Sequence, residues 1–399
     1  MEKGHFTAII EAKARQIMKY SCDVFKACGS CQYMGIDYQE QLKKKTDYVK
    51  KLLKDARLTN IEVAPCHPSK NEIGYRNKVI VAFDNNYNYG LYEEGSHRIV
   101  PYQRCLIHDE VSDKIIKYLQ GMFKKYRVSI YDKKRRRGLL RHVLIRRAVA
   151  TNETMVVIVS NEDEFKGSKN LCQGLIKAFP SVKTVVLNIN KRDTSIVLGD
   201  KEKVLYGKGF IVDKLSGLSF KISSKSFYQI NHDQCEELYS FGLGLLSADS
   251  NTVLLDTYSG IGTIGMIASN KVKEVISVEL NRDAYQDGIN NAKANKINNI
   301  RFYNDDATKF MVKQAQMSNK VDIVIMDPPR AGSTPEFIQS VGKLQPREVL
   351  YISCDPKTQV RDILEFQKYG YYTKIIYPFD MFPQTEHVEC VVLMSKVQK

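Results

Sequence analysis

Two side chains distant in the sequence could together activate a pyrimidine ring. Cys354 follows the apolar stretch Val349–Ile352 within Ser353-Cys354-Asp355-Pro356, and Glu389 opens a later apolar run after Met381–His387. A cysteine at the end of a strand is commonly a small buried apolar residue. Beside a cofactor site it becomes a usable nucleophile. A thiolate and a carboxylate are the pair needed to methylate carbon 5 of a pyrimidine, which is unreactive until something adds at carbon 6. Cysteine addition there creates an enolate that takes a methyl from a sulfonium. A base then removes the carbon 5 proton, and elimination frees the cysteine. A paired base cannot expose both faces of its ring, so the target must be extruded from any stack.

The donor site is read from Thr252–Gly265, where the run Val253–Leu255 ends in Asp256 and Gly260, Gly262 and Gly265 follow as G-x-G-x-x-G. Such a strand-to-helix turn lets a cofactor lie against the backbone. Glu279, one strand later, stands where an acid would bond ribose hydroxyls. These residues alone leave NAD and S-adenosyl-L-methionine both open. Asp327-Pro328-Pro329-Arg330 places a carboxylate at another strand end, and Arg330 replaces the aromatic residue that amino-group methyltransferases use to stack a flipped base.

The elements that must hold these groups alternate from residue 216 to 399. TVLLD, VISVE, RFYND, DIVIMD and VLYISC are each followed by a helical pattern, and TKIIY and VECVVLM close the chain without one between them. The expected fold is α/β, a Rossmann-like parallel sheet ending in an antiparallel pair, closer to a methyltransferase than to a dehydrogenase. Residues 61–215 read as a central, mainly antiparallel β domain with strands KVIVAF, GLYEE, HRIVPY, RHVLIRR, MVVIVS, TVVLNI and SIVLG. Residues 1–60 read as a helical segment.

The 399 residues carry a net charge of +15, which points to a polyanionic partner, and RNA fits better than a membrane. Lys133–Arg147 is dense in basic residues. The alternation from Arg141 to Arg146 reads as a strand showing arginines to a phosphate track. No run approaches the roughly 20 apolar residues of a membrane span, and no signal peptide is evident, so a cytoplasmic location is expected. Among nine cysteines, Cys22, Cys28 and Cys31 fall within ten residues and Cys105 follows in PYQRC. Four thiols suit tetrahedral zinc or a 4Fe-4S cluster, and spacing does not separate the two.

From Cys22 to Met394 the chain resembles the iron–sulfur type of RNA 5-methyluridine methyltransferases that act on 23S ribosomal RNA. The resemblance rests on C-x5-C-x2-C with a distant cysteine, YRNK, LRH-x-L-x-R, F-Y-Q-x-N, D-x-Y-S-G-x-G-T-I-G, DPPRAG, SC-D-P-x-T and FP-x-T-x-H-x-E. It implies that Cys354 is the nucleophile and Glu389 the base. It implies too that Gln229, Tyr258, Thr263, Glu279, Asp306 and Asp327 contact S-adenosyl-L-methionine or line its site, with Gln229 and Asp327 also near the uracil. By the same resemblance Cys22, Cys28, Cys31 and Cys105 hold a 4Fe-4S cluster. Two departures stand out: the chain starts too close to Cys22 for the N-terminal TRAM domain of many relatives, and Asp355 replaces a common asparagine. The T-loop uridine of transfer RNA is the nearest alternative target, and a non-catalytic iron–sulfur RNA-binding protein the alternative class. Retention of both Cys354 and Glu389 argues against a pure binder.

Overall fold

A computed structural model describes residues 20–96 and 98–396. The part of the expected helical segment before Tyr20 lies outside the described residues. After it comes a short helix, Phe25–Cys28, within a run of turns, and then one long helix, Tyr38–Asp55. Asp37 caps that helix by accepting from the Gln39 and Glu40 amides, and Leu42, Val49 and Leu53 share its buried face.

The strands in chain order are β1 (Glu62–Val63), β2 (Lys78–Phe83), β3 (Tyr89–Tyr92), β4 (Ile99–Pro101), β5 (Leu140–Ala148) and β6 (Glu153–Ser160). There follow β7 (Val182–Ile189), β8 (Lys201–Tyr206), β9 (Phe210–Leu215), β10 (Leu218–Ser223), β11 (Val253–Thr257) and β12 (Glu274–Val278). The last six are β13 (Ile300–Tyr303), β14 (Ile323–Met326), β15 (Glu348–Ser353), β16 (Tyr371–Tyr372), β17 (Ile375–Phe379) and β18 (Glu389–Lys396).

The central sheet has the order β4-β3-β2-β5-β6-β7-β8 and is antiparallel except at β6–β7, where the helix Ser168–Ala178 makes the crossover. The expected strand SIVLG does not form. The Asn190 side-chain amide takes the carbonyls of Ile196 and Val197, and β8 begins only at Lys201.

The second sheet has the order β1-β17-β18-β15-β14-β11-β12-β13, with β16 pairing the far end of β18. Strands β11 to β15 are parallel, and β14 and β15 are buried along their whole length, as a sheet covered on both faces requires. β1 pairs in parallel with β17, and Leu42, Val49 and Leu53 share one core with Val324, Val349 and Val392. A boundary at residue 60 therefore cuts through one packed unit: the early helix and strand are built onto the C-terminal sheet. The β9–β10 hairpin joins the halves, since Ile211 and Phe220 belong to one apolar core with Val157 of the central sheet and Leu254 of β11.

Register brings the chemistry to one edge. Thr257 pairs with both Val278 and Met326, so Tyr258, Glu279 and Asp327 are the next residues out on three adjacent strands. β18 runs the opposite way, with Ser353 paired to Cys390. One step beyond that pair, Cys354 stands opposite Glu389.

Candidate active site

The chain turns sharply after Cys354. The Asp355 amide donates to Ser353 Oγ at 3.1 Å, and Asp355 Oδ1 accepts from Lys357 N at 3.0 Å to cap the helix Pro356–Gln367. Burial pushes the Cys354 thiol up to about 11, and the negative charges of Glu389 and Asp327 push the same way. Arg330 opposes them by its charge and a hydrogen bond to the sulfur. The thiol therefore holds its proton at neutral pH. Glu389 is buried, and its Oε2 has no hydrogen-bond partner among the described residues. Burial first, and then the Asp327 charge, raise its carboxyl above the ordinary range. Asp327 is raised by burial as well.

Cys354 opens into a pocket of about 680 Å³ whose walls include Tyr33, Tyr48, Arg330, Asp355, Glu386 and His387. The loop from Asp380 to Val388 forms one side of it. This loop is clamped by residues to which the sequence reading assigned no task. Lys45 pairs with Asp380 at 2.5 Å with both side chains fully buried, and donates to Phe382 O at 3.1 Å. Gln41 and Gln384 exchange hydrogen bonds, the Tyr33 amide donates to Gln384 O, and the Tyr75 hydroxyl donates to Pro383 O. One signal was present: Lys45 falls between Leu42 and Val49 in the apolar series of its helix, where a charge demands a buried partner.

The glycine turn forms a second pocket of about 410 Å³, lined by Gln229, Tyr258, Thr263 and Asp327 together with Ser259. Tyr258 and Gly262 take φ of +60° and +79°. At Gly265 a Cβ would come within 2.7 Å of Asp256 Oδ2, which accepts the Gly265 amide at 2.9 Å. That contact is why no side chain fits there. Glu279 Oε2 accepts from the Gly260 amide at 2.8 Å and its Oε1 from the Asn281 amide, so the acid braces the turn with a lone pair left on each oxygen. Asp306 does not line this pocket. It caps the helix Ala307–Gln316, accepting from Lys309 N at 3.0 Å, and its charge reaches Tyr258. Asp327 belongs to the turn pocket and also acts on Cys354, so it links the two.

The arginines of β5 do not form an open phosphate track. Arg146 is buried and donates to the carbonyls of Ser223 and Ser226, while Arg147 pairs with Asp109 at 3.2 Å. Arg141 donates to the carbonyls of Asn190 and Arg192. Alternation alone could not say which arginines of β5 would be covered: the end of β10 and the segment after it cover Arg146, the segment after β7 engages Arg141, and Asp109 engages Arg147. The turn Lys134–Arg137 does remain exposed.

Cys22, Cys28, Cys31 and Cys105 line one small apolar cavity of about 380 Å³. Among the described residues no three Cys, His, Asp or Glu side chains are close enough to hold a single metal ion.

A parallel sheet with an antiparallel closing strand and a glycine-turn pocket at its carboxyl edge is that of a Rossmann-like methyltransferase. Residues 37–397 match the family model described as tRNA (Uracil-5-)-methyltransferase. An uncharacterized RNA methyltransferase of Bacillus cereus is 35% identical over 384 residues, covering 95% of this chain and 83% of its own. Another, from Lactiplantibacillus plantarum, is 36% identical over 379 residues, covering 94% and 83%. Among solved structures, the Pyrococcus abyssi tRNA (uracil-54, C5)-methyltransferase in complex with S-adenosyl-L-homocysteine superposes with a TM-score of 0.77. It is 26% identical, with 92% of this chain and 85% of that one covered. The chain belongs to the RNA uracil-5-methyltransferase family.

Proposed function

We propose that this protein methylates carbon 5 of a specific uridine in 23S ribosomal RNA through a transient bond between Cys354 Sγ and carbon 6. The observation that carries the reading is the register of β15 and β18, which sets a thiol and a buried carboxyl face to face beside the glycine-turn pocket. Cys354 gives its proton to solvent at the open pocket as its sulfur adds to carbon 6, and Arg330 steadies the thiolate. S-adenosyl-L-methionine held at the turn supplies the electrophilic methyl that carbon 5 of the resulting enolate takes. Glu389 then removes the carbon 5 proton, the carbon 5–carbon 6 double bond re-forms, and Cys354 leaves as a thiolate. The turn suits that donor: Ser259 Oγ is buried there without a partner among the described residues, and Glu279 keeps free lone pairs for hydroxyls. We assign contacts with the donor to Gln229, Tyr258, Thr263, Glu279 and Asp327, and to Asp306 a position beside them through Tyr258.

We also assign a 4Fe-4S cluster to Cys22, Cys28, Cys31 and Cys105. The support is the resemblance of the cysteine pattern, together with the four thiols lining one cavity. Its role is to support the structure or to position RNA, since methyl transfer needs no electron.

Likeness to the archaeal tRNA enzyme supports a second target, the T-loop uridine of transfer RNA. Mapping 5-methyluridine in ribosomal and transfer RNA from a strain lacking this protein decides between them. Loss of one ribosomal site supports the first reading, and loss confined to transfer RNA replaces it with the second.

A further inference from the structure

We propose that the pocket around Cys354 contains a second base subsite, which receives a nucleotide neighbouring the target uridine and selects a base bearing amino hydrogens. The inference rests on the reading of RNA as substrate. The target uracil must reach Cys354, which forms only part of the wall of this pocket, with the buried Glu389 behind the lining. The remaining walls carry three rings from separate parts of the chain, Tyr33, Tyr48 and His387. Tyr48 is 41% exposed, which leaves ring surface open to a ligand. Rings beside a flipped nucleotide stack its neighbours when the strand is unpaired.

The same walls carry two carboxylates, Asp355 and Glu386. Arg330 of the same walls is engaged with the Cys354 sulfur, so the two acids make the remaining wall a better seat for a base than for phosphate. Carboxylate oxygens accept from exocyclic amino groups such as those of cytosine, adenine or guanine, whereas uracil offers only its single ring N3–H. Asp355 already spends Oδ1 on its helix cap. The Glu386 backbone is held by Gln32, which accepts from its amide at 3.3 Å, while its side chain is exposed at the pocket. Glu386 is therefore the principal acceptor and Tyr48 the stacking surface.

The test uses the full-length enzyme and the RNA segment that it methylates, with each neighbour of the target uridine changed in turn. For wild type, replacing one amino-bearing neighbour by uracil should raise KM roughly tenfold, with kcat changing little. Glu386→Gln, whose amide can donate to a keto oxygen, should shrink or invert that preference. Tyr48→Ala should raise KM roughly tenfold, and Tyr48→Phe should restore it. Binding of S-adenosyl-L-methionine should be unaltered in all three variants, which checks their folding. A wild type indifferent to every neighbour overturns the subsite and leaves the methylation reading standing, as does Glu386→Gln with an unchanged preference. A wild type that methylates no RNA uridine overturns both.

Discussion

Glu389→Gln should convert the enzyme into one that stalls with RNA covalently attached. Glutamine matches the carboxyl in size but cannot take a proton. The site is 2% exposed, so water cannot readily act in its place. Addition of Cys354 and methyl transfer precede the step that needs the base, so both should proceed. Loss of a positioned general base costs about 10²- to 10⁴-fold. Release of methylated RNA should slow by that factor, while an adduct stable to denaturing electrophoresis rises towards one per enzyme. With a labelled methyl group, the label should travel with the protein band. In wild type the base works only when ionised, and burial and Asp327 have raised its carboxyl. Turnover should accordingly climb with pH above the ordinary carboxylate range. Free methylated RNA released by Glu389→Gln at the wild-type rate, with no adduct, would refute this assignment of roles.

Cys354→Ala should show no turnover and no adduct while still binding S-adenosyl-L-methionine, as read by calorimetry. Because the Cys354 thiol is raised to about 11, adduct formation in Glu389→Gln should quicken as pH rises, and a flat profile would contradict thiolate attack. Lys45→Met leaves Asp380 buried without its ion pair and should cost about 3–5 kcal/mol in denaturant unfolding; Lys45→Met with Asp380→Leu should recover much of it. The raised Glu389 carboxyl means that folding penalises its ionised form. The penalty is absent well below pH 4.5 and grows as pH rises through the raised value. Glu389→Gln should therefore melt progressively higher than wild type as pH rises. Anaerobically purified protein should absorb broadly at about 400 nm and Cys105→Ser should bleach it, whereas a colourless protein with one zinc per chain would replace the cluster.

Much of the site was legible because its signals are local. An apolar strand ending in a glycine turn, in Asp-Pro-Pro-Arg or in Ser-Cys-Asp-Pro announces a carboxyl end, and parallel alternation gathers such ends on one edge. The spacing of Cys22, Cys28 and Cys31 read as a metal site; with Cys105 they line one cavity, but among the described residues no three metal-ligating side chains come together. Burial was less legible. The alternating arginines of β5 read as an exposed track, yet Arg146 is enclosed because the end of β10 and the segment after it each offer it a carbonyl. The run SIVLG has strand composition, but one asparagine amide claims its carbonyls.

By itself the sequence determined which groups sit at strand ends, because strand, turn and cap preferences act over a few residues. Only the tertiary structure decided which of those groups face each other. Antiparallel entry of β18 between β15 and β17 sets Glu389 against Cys354. The buried Lys45–Asp380 pair fastens an early helix to the loop beside them. Such meetings depend on sheet order, register and the enclosure of charge, and these arise only when segments far apart in the chain share one core.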